Sequence, residues 1–426
     1  MAAMVTPRVV VTGLGFVTSI GNDRRGVVSS LRNLTTGIER HDFLAGKELP
    51  VRVAGTIKGF DTSALHWATW RWPEGYSFSR EALRGMPPHG LYALCAVEQA
   101  NADARLAPSD VAADETGLFC ASGGSPRLLR HNLNLMHDSD GGRVAPMGVV
   151  SAIAGTLNFN LATHLGIRGA VAGFSSACAS STQALGYAHD EIRLGRQKRV
   201  LVVGGEDVTF ESLFPFWGMR ALSQQGDPAL ASRPFDAGRD GFVGTGGAVG
   251  LWLEEAGSAQ ARGAPIYAEI LGWGQSADGT HVAQADPDGR GLALAMRRAL
   301  HSAGVSASEV GYVNAHATST QAGDLSEARA LHAVFGSQGG GPLVSSTKAL
   351  TGHGLSMAGV METAFCALCM AEGFVPGAAN LKNLDPACGA LNLPLASVAA
   401  TPRVMLKNSS GFGGSNVSLV LARWMN

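Results

Sequence analysis

The chain of 426 residues is short of charge: Asp, Glu, Lys and Arg make up 16% of it, against roughly a quarter in an average soluble domain. Neither sign dominates. Thirty-three Lys and Arg face 34 Asp and Glu, a net charge of −1, so no global basic field draws nucleic acid or an acidic membrane. Long apolar runs are scarce as well. No window approaches the ~20 residues of a membrane span, and the apolar stretch from Met357 to Phe374 is interrupted by Glu362 and Glu372. The six cysteines (95, 120, 178, 366, 369 and 388) are scattered, unlike a disulfide framework. The start, Met1 to Val9, has neither the charged segment nor the apolar stretch of a secretory leader. These absences predict a soluble, reduced, cytoplasmic protein without nucleic-acid or membrane partners.

What is present points to a folded enzyme. Hydrophobic residues reach 46%, which excludes a disordered chain, and the length calls for about two or three domain-sized units. With so little charge, much surface is expected to be buried between fused halves or against another subunit. Short β-branched runs (Arg8–Thr12, Arg199–Val203, Val310–Val313) alternate with helical patterns such as Leu91–Leu106. That alternation predicts an α/β layered architecture with parallel strands and crossover helices. A new strand opens at Ile266 after the small, polar stretch 256–265, placing a boundary near 257 and units at 1–256 and 257–426. The stretch from His66 to Pro88, with Trp67, Trp70 and Trp72, reads as a surface insertion.

Several constellations could carry chemistry. Gly13-Leu-Gly15 follows a strand, but the third glycine of a dinucleotide fingerprint is missing. Ala170-Val-Ala-Gly-Phe-Ser-Ser-Ala-Cys178 carries a strand into a sharp turn before a helix. There a cysteine is held out, and the positive helix end favours the nucleophilic thiolate; a small buried hydrophobe is the bland alternative. His316 follows the strand of Val313-Asn-Ala among Thr318, Ser319 and Thr320, and His353 sits between glycines after Lys348-Ala-Leu-Thr. The other ten histidines read as solvated. Asn408-Ser-Ser-Gly-Phe412-Gly-Gly suits a hinged gate whose backbone N–H groups can bind an oxyanion, or an ordinary tight turn. Cys366-x-x-Cys369 lacks the second pair of ligands a zinc site needs. Arg193 to Arg199 reads as a solvated helix cap, with docking of an acidic partner as the alternative.

Taken in order, these segments resemble the β-ketoacyl-acyl-carrier-protein synthases, condensing enzymes of the thiolase-like superfamily. The resemblance runs from Val9-Val-Val-Thr-Gly-Leu-Gly15 to Gly411-Phe-Gly-Gly414. It includes Ser176-Ala-Cys178-Ala, Ser232-Arg-Pro-Phe-Asp236, Arg239-Asp-Gly-Phe242, Asn314-Ala-His316-Ala-Thr-Ser-Thr320 and Ser346-Thr-Lys348 through His353. Gly123-Gly-Ser-Pro-Arg127 is more similar to the type I branch. The resemblance implies a five-layered α/β/α/β/α fold of two similar halves, with the cysteine in the first and both histidines in the second, and a homodimer. It implies Cys178 as acyl carrier, its N–H and that of Phe412 as oxyanion donors, and His316 and His353 as donors to a malonyl thioester losing CO₂. Lys348 would polarise His316, Thr318 and Thr320 would bind the pantetheine arm, and Phe242 and Phe412 would line the substrate path. Glu362 and Asn408 would support the site from behind. Acyl- and malonyl-loaded carrier protein would be the partner, with no cofactor or metal required for catalysis.

Three departures from the family's pattern stand out. Lys407 and Ser410 replace a Ser and a Phe in the glycine-rich segment. In some relatives a monovalent cation sits behind Asn314, Glu362 and Asn408, a place the Lys407 ammonium could take. The Trp-bearing stretch stands where a basic docking helix is usual, leaving Arg80 and Arg84 as weak substitutes. Such changes keep a specialised polyketide or unusual-lipid synthase open. A non-catalytic chain-length-type subunit is argued against by the full catalytic set, and a thiolase by the lack of a second cysteine in the C-terminal glycine loop.

Overall fold

Ten strands run side by side in the computed structural model, which describes residues 6–41, 50–337 and 340–425. The first five residues of the leader-free reading lie outside the described residues. In chain order the strands are β1 (Val9–Val17), β2 (Thr116–Ala121), β3 (Val171–Phe174), β4 (Arg199–Glu206), β5 (Gly247–Glu255), β6 (Ala268–Ala277), β7 (Val310–Asn314), β8 (Leu343–Ser345), β9 (Val404–Gly411) and β10 (Ser415–Ala422). Their spatial order is β8-β7-β9-β10-β6-β1-β5-β4-β2-β3. Read outward from the middle, the first five strands lie 1-5-4-2-3 and the second five repeat that order. The two groups meet in a short antiparallel pairing of Val9–Val11 with Ala268–Ile270.

Five layers follow. Helices α2 (Ser180–Arg193) and α5 (Ala358–Glu372) pack on one another and on strands of both groups. Helix α1 (Pro88–Ala104) covers the outer face of β1 and β5, and α3 (Arg290–Ala303) covers β6 and β10. Because each group is buried on both faces over most of its width, its inner strands read as continuous apolar runs; β4 is buried along its whole length, while the terminal β3 is half-exposed. The sheet is nevertheless mixed, a correction to the parallel expectation. Among the described strands of the sheet, only β2 with β3 and β4, and β7 with β8 and β9, pair parallel.

The glycines of β1 serve this packing. A Cβ on Gly15 would lie 1.8 Å from the Ala96 carbonyl oxygen, and one on Gly13 2.5 Å from that of Ala100, both in α1. In the second group Gly272 and Gly274 do the same against α3. The Gly-x-Gly pair is a helix seat, and β1 accordingly runs on past Gly13, where the sequence reading had ended it.

Three further expectations change. The stretch 66–88 is no loose insertion: Trp70, Leu83 and Met86 are buried in the core beneath α1, although Arg80 and Arg84 stay exposed. Arg199 is not a solvated cap but buried, ion-paired with Glu254 at 3.4 Å and donating to the Asp110 carbonyl at 2.9 Å. The segment Leu355–Glu372 is apolar and long enough to cross a membrane by composition, yet most of it is buried in the central layer.

Candidate active site

The turn after β3 holds Cys178 under strain. Ala177 adopts a φ of 49°, a left-handed conformation costly for a residue with a Cβ. The Ser180 hydroxyl fixes it, accepting from the Ser176 N–H at 2.8 Å and donating to the Ala177 carbonyl at 2.6 Å. Helix α2 then starts, so its positive end lies beside the sulfur. Desolvation works against the helix end: it pushes the Cys178 thiol up to about 12, against the pull of the Lys348 ammonium.

His316 leaves β7 on a loop clamped from α4 (Gln321–Phe335). Glu327 of that helix accepts the backbone N–H of His316 at 3.0 Å and of Ala317 at 2.6 Å. Asp324, one turn earlier, accepts the N–H of Ser319 at 3.1 Å and of Phe235 at 2.9 Å. Arg239 closes the clamp by donating to the Thr320 and Gln321 carbonyls. His353 is held through its own backbone, donating to the Val243 carbonyl at 2.6 Å and accepting from the Thr245 N–H at 3.1 Å.

These turns converge. The His316 and His353 rings lie 5.4 Å apart at 84°, and Phe242 meets His353 edge-on at 5.4 Å. Cys178, His316, His353, Thr318, Thr320, Phe242 and Phe412 all line one cavity of about 630 Å³. Phe412 and Cys178 also line a second cavity of about 220 Å³ that runs past Phe174 and Glu206. The Phe412 ring leans on Phe216 at 5.9 Å, and its loop is carried by Gly413 and Gly414, both at positive φ. Ser410 ties the base of that loop by donating to Asn416 at 2.8 Å.

The remaining candidates stand behind the cavity. Glu362 is wholly buried and ion-paired with both Lys348 and Lys407. Asn408 donates to Glu327 at 3.0 Å and accepts from Ser418 at 2.8 Å. Burial, reinforced by the Lys348 and Lys407 charges, holds His316 and His353 well below the ordinary imidazole range. Both rings are therefore neutral at physiological pH. Among the described residues no group of three or more His, Cys, Asp or Glu is arranged to hold a metal ion, and Cys366 and Cys369 are buried core residues.

The sequence reading missed Glu327 and Asp324, and quoted Arg239 without giving it a role. The two acids sit three apart on one helix just after the histidine loop, a spacing that can aim both at the same neighbour. It also misjudged two histidines as solvated. His89 is buried against Ser122 at 2.9 Å and pushed down to about 3 by burial, and His189 is buried beside Asp190.

Family models and known proteins are similar to nearly the whole chain. Residues 6–259 match the family model described as beta-ketoacyl synthase, N-terminal domain, and residues 267–382 match its C-terminal domain. The 3-oxoacyl-[acyl-carrier-protein] synthase 1 of Escherichia coli is 38% identical over 421 residues, covering 98% of this chain and 99% of that protein. A beta-ketoacyl synthase crystal structure from Burkholderia phymatum superposes with a TM-score of 0.89 at 33% identity, covering 98% and 100% of the two chains. A ketosynthase solved in complex with its type II PKS acyl-carrier protein gives a TM-score of 0.87 at 27% identity, covering 99% and 100%. Strand order, site and relatives lead to one conclusion: the chain belongs to the beta-ketoacyl synthase family.

Proposed function

We propose that this protein is a condensing enzyme that lengthens an acyl chain held on Cys178 by two carbons taken from malonyl-acyl-carrier protein. The observation that carries the reading is the shared cavity in which one cysteine and two neutral imidazoles meet. In the first half-reaction the Cys178 sulfur attacks an acyl thioester. The backbone N–H groups of Cys178 and Phe412 receive the developing oxyanion, and the carrier thiol leaves with the proton the cysteine gives up.

In the second half-reaction malonyl-carrier enters the larger cavity, its pantetheine arm against Thr318 and Thr320. As the bond to the carboxylate breaks, its electron pair flows into the thioester carbonyl and CO₂ departs. His316 and His353 meet the enolate oxygen with N–H donors. Each neutral ring carries one N–H, and this reading puts it on Nε2, the nitrogen that would face the substrate. Such donors stabilise charge that exists only once the reaction is under way. The enolate carbon then attacks the acyl-Cys178 thioester and the carbon–sulfur bond breaks. Cys178 regains a proton, and a 3-oxoacyl-carrier two carbons longer is released. Phe412, shared by both cavities, would gate the two substrates.

The partner is an acyl carrier protein, a reading supported by the relatives' names and by the solved complex of one of them. A second copy of this chain is proposed on β3, the terminal strand of the sheet. Among the described residues that edge has no partner strand, and Val171 on it is exposed, as are Leu129, Leu133 and Val149 elsewhere in the same half, features of an interface. Light scattering tests the dimer. The activity is tested by incubating the protein with acyl- and malonyl-carrier thioesters and measuring CO₂ and 3-oxoacyl-carrier; release of neither would refute it.

A further inference from the structure

Behind the imidazoles lies a lysine that the proposed chemistry does not use. Lys407 has no exposed surface, and its Nζ lies 3.3 Å from Glu362 Oε2. It also donates to Thr182 Oγ1 at 2.8 Å and to the Ser409 hydroxyl. Two ammonium protons thus have hydroxyl acceptors, and the ammonium faces Glu362 as an ion pair. The other oxygen of Glu362 is ion-paired with Lys348. Two ammonium groups share one carboxylate in a sealed space, with the buried Glu327 carboxyl within reach of the Lys348 charge, and taking such ions out of water costs several kcal/mol each. An ordinary core filler would not carry that cost.

The monovalent cation that sits here in some relatives does not fit this chain. Both Glu362 oxygens face ammonium groups. The Asn408 oxygen is taken by Ser418 and its amide by Glu327. A free cation beside Glu362 would meet the Lys407 ammonium, a like charge, at close range.

We propose that Lys407 is a built-in monovalent cation: its ammonium supplies, on the chain itself, the positive charge behind His316 and His353, so that neither stability nor turnover depends on K⁺ or Na⁺. Lys407 is a positioning residue, acting through the carboxylate it shares with Lys348, and only the turnover part rests on the condensing-enzyme reading. Burial pushes Lys407 down to about 8 while Glu362 pulls it up, so the ammonium is the main form at neutral pH and helps keep both imidazoles neutral.

The test compares full-length wild type, Lys407→Ser and Lys407→Met in KCl, NaCl and tetramethylammonium chloride at equal ionic strength. Melting temperature and malonyl-carrier decarboxylation are read in each. Wild type is expected to give one melting temperature in all three salts and rates within about twofold. Lys407→Ser opens space beside Glu362 and the Asn314 oxygen, which has no donor on the strand paired with Lys407. K⁺ should raise its melting temperature and restore its rate by roughly tenfold, whereas tetramethylammonium, too large to enter, should do neither. Lys407→Met, which fills the space without charge, should stay slow in every salt. Saturable K⁺ dependence of the wild type would overturn the proposal, and so would a Lys407→Ser variant as stable and active as wild type in tetramethylammonium. Should the variants not fold, the wild-type salt response alone decides. A wild type inactive in every salt would overturn the condensing reading while the melting temperatures still judge Lys407.

Discussion

Glu327 holds His316 without touching its ring: one carboxylate accepts the backbone N–H of His316 at 3.0 Å and of Ala317 at 2.6 Å. Its Oε1 also accepts from Asn408, so the histidine loop and the glycine-rich strand meet on one buried acid. Glu327→Ala strands two backbone donors, at about 1–3 kcal/mol each. The melting temperature should fall by several degrees, and decarboxylation should fall more than Cys178 acylation. Glu327→Gln, which keeps one acceptor, should lie between. Thermal unfolding paired with a CO₂ assay checks this; an alanine variant with unchanged decarboxylation would sink it.

The reactivity of Cys178 should follow its burial. A thiol pushed up to about 12 is protonated throughout the neutral range. Because the thiolate is the reactive form, alkylation by iodoacetamide should rise about tenfold per pH unit from 7 to 9. Rates measured by intact mass should show no plateau in that interval. Levelling off near pH 7 would mean that the helix end and Lys348 outweigh desolvation.

Gly411 is the contact between gate and nucleophile. A Cβ there would lie 2.5 Å from the Ser176 carbonyl oxygen and 3.1 Å from the Cys178 nitrogen, so Gly411→Ala must displace the strained turn. Most of the sheet lies remote from this point, and the variant should still fold. Acylation of Cys178 should drop by about 10²-fold, the scale of losing one oxyanion donor. Circular dichroism with acyl-enzyme mass spectrometry separates the two effects, and normal acylation would refute the contact's importance.

Much of the site could be read from the chain because its parts are local. A short apolar run ending in small residues marked Cys178, although the strand it forms is the half-exposed end of the sheet, and strand-end or glycine-flanked positions marked His316 and His353. The repeated strand order was hidden, since it arises from pairings between distant segments while the two halves share little visible sequence. The buried polar groups were misjudged for a related reason. Arg199 and His89 look like surface residues in a local window, and only tertiary partners such as Glu254 and Ser122 make their burial tolerable. Lys407 shows the converse: its departure from the family's pattern was plain, but its bond to Glu362 needed the fold.

The central claim is that one sulfur and two imidazoles act on the same thioester, and separating their roles tests it most directly. Malonyl-carrier decarboxylation and acyl-enzyme mass should be measured together for Cys178→Ala, His316→Ala and His353→Ala, between pH 6 and 8. Cys178→Ala should form no acyl-enzyme yet still release CO₂, and any pH dependence in that interval should trace to Glu206 and Asp324, each pushed up to about 7, or to Lys407, pushed down to about 8, rather than to either ring. Each histidine variant should keep acylation while losing decarboxylation by about 10²–10³-fold. Acyl-enzyme on the Cys178→Ala protein, or undiminished CO₂ release when either histidine is gone, would contradict the account.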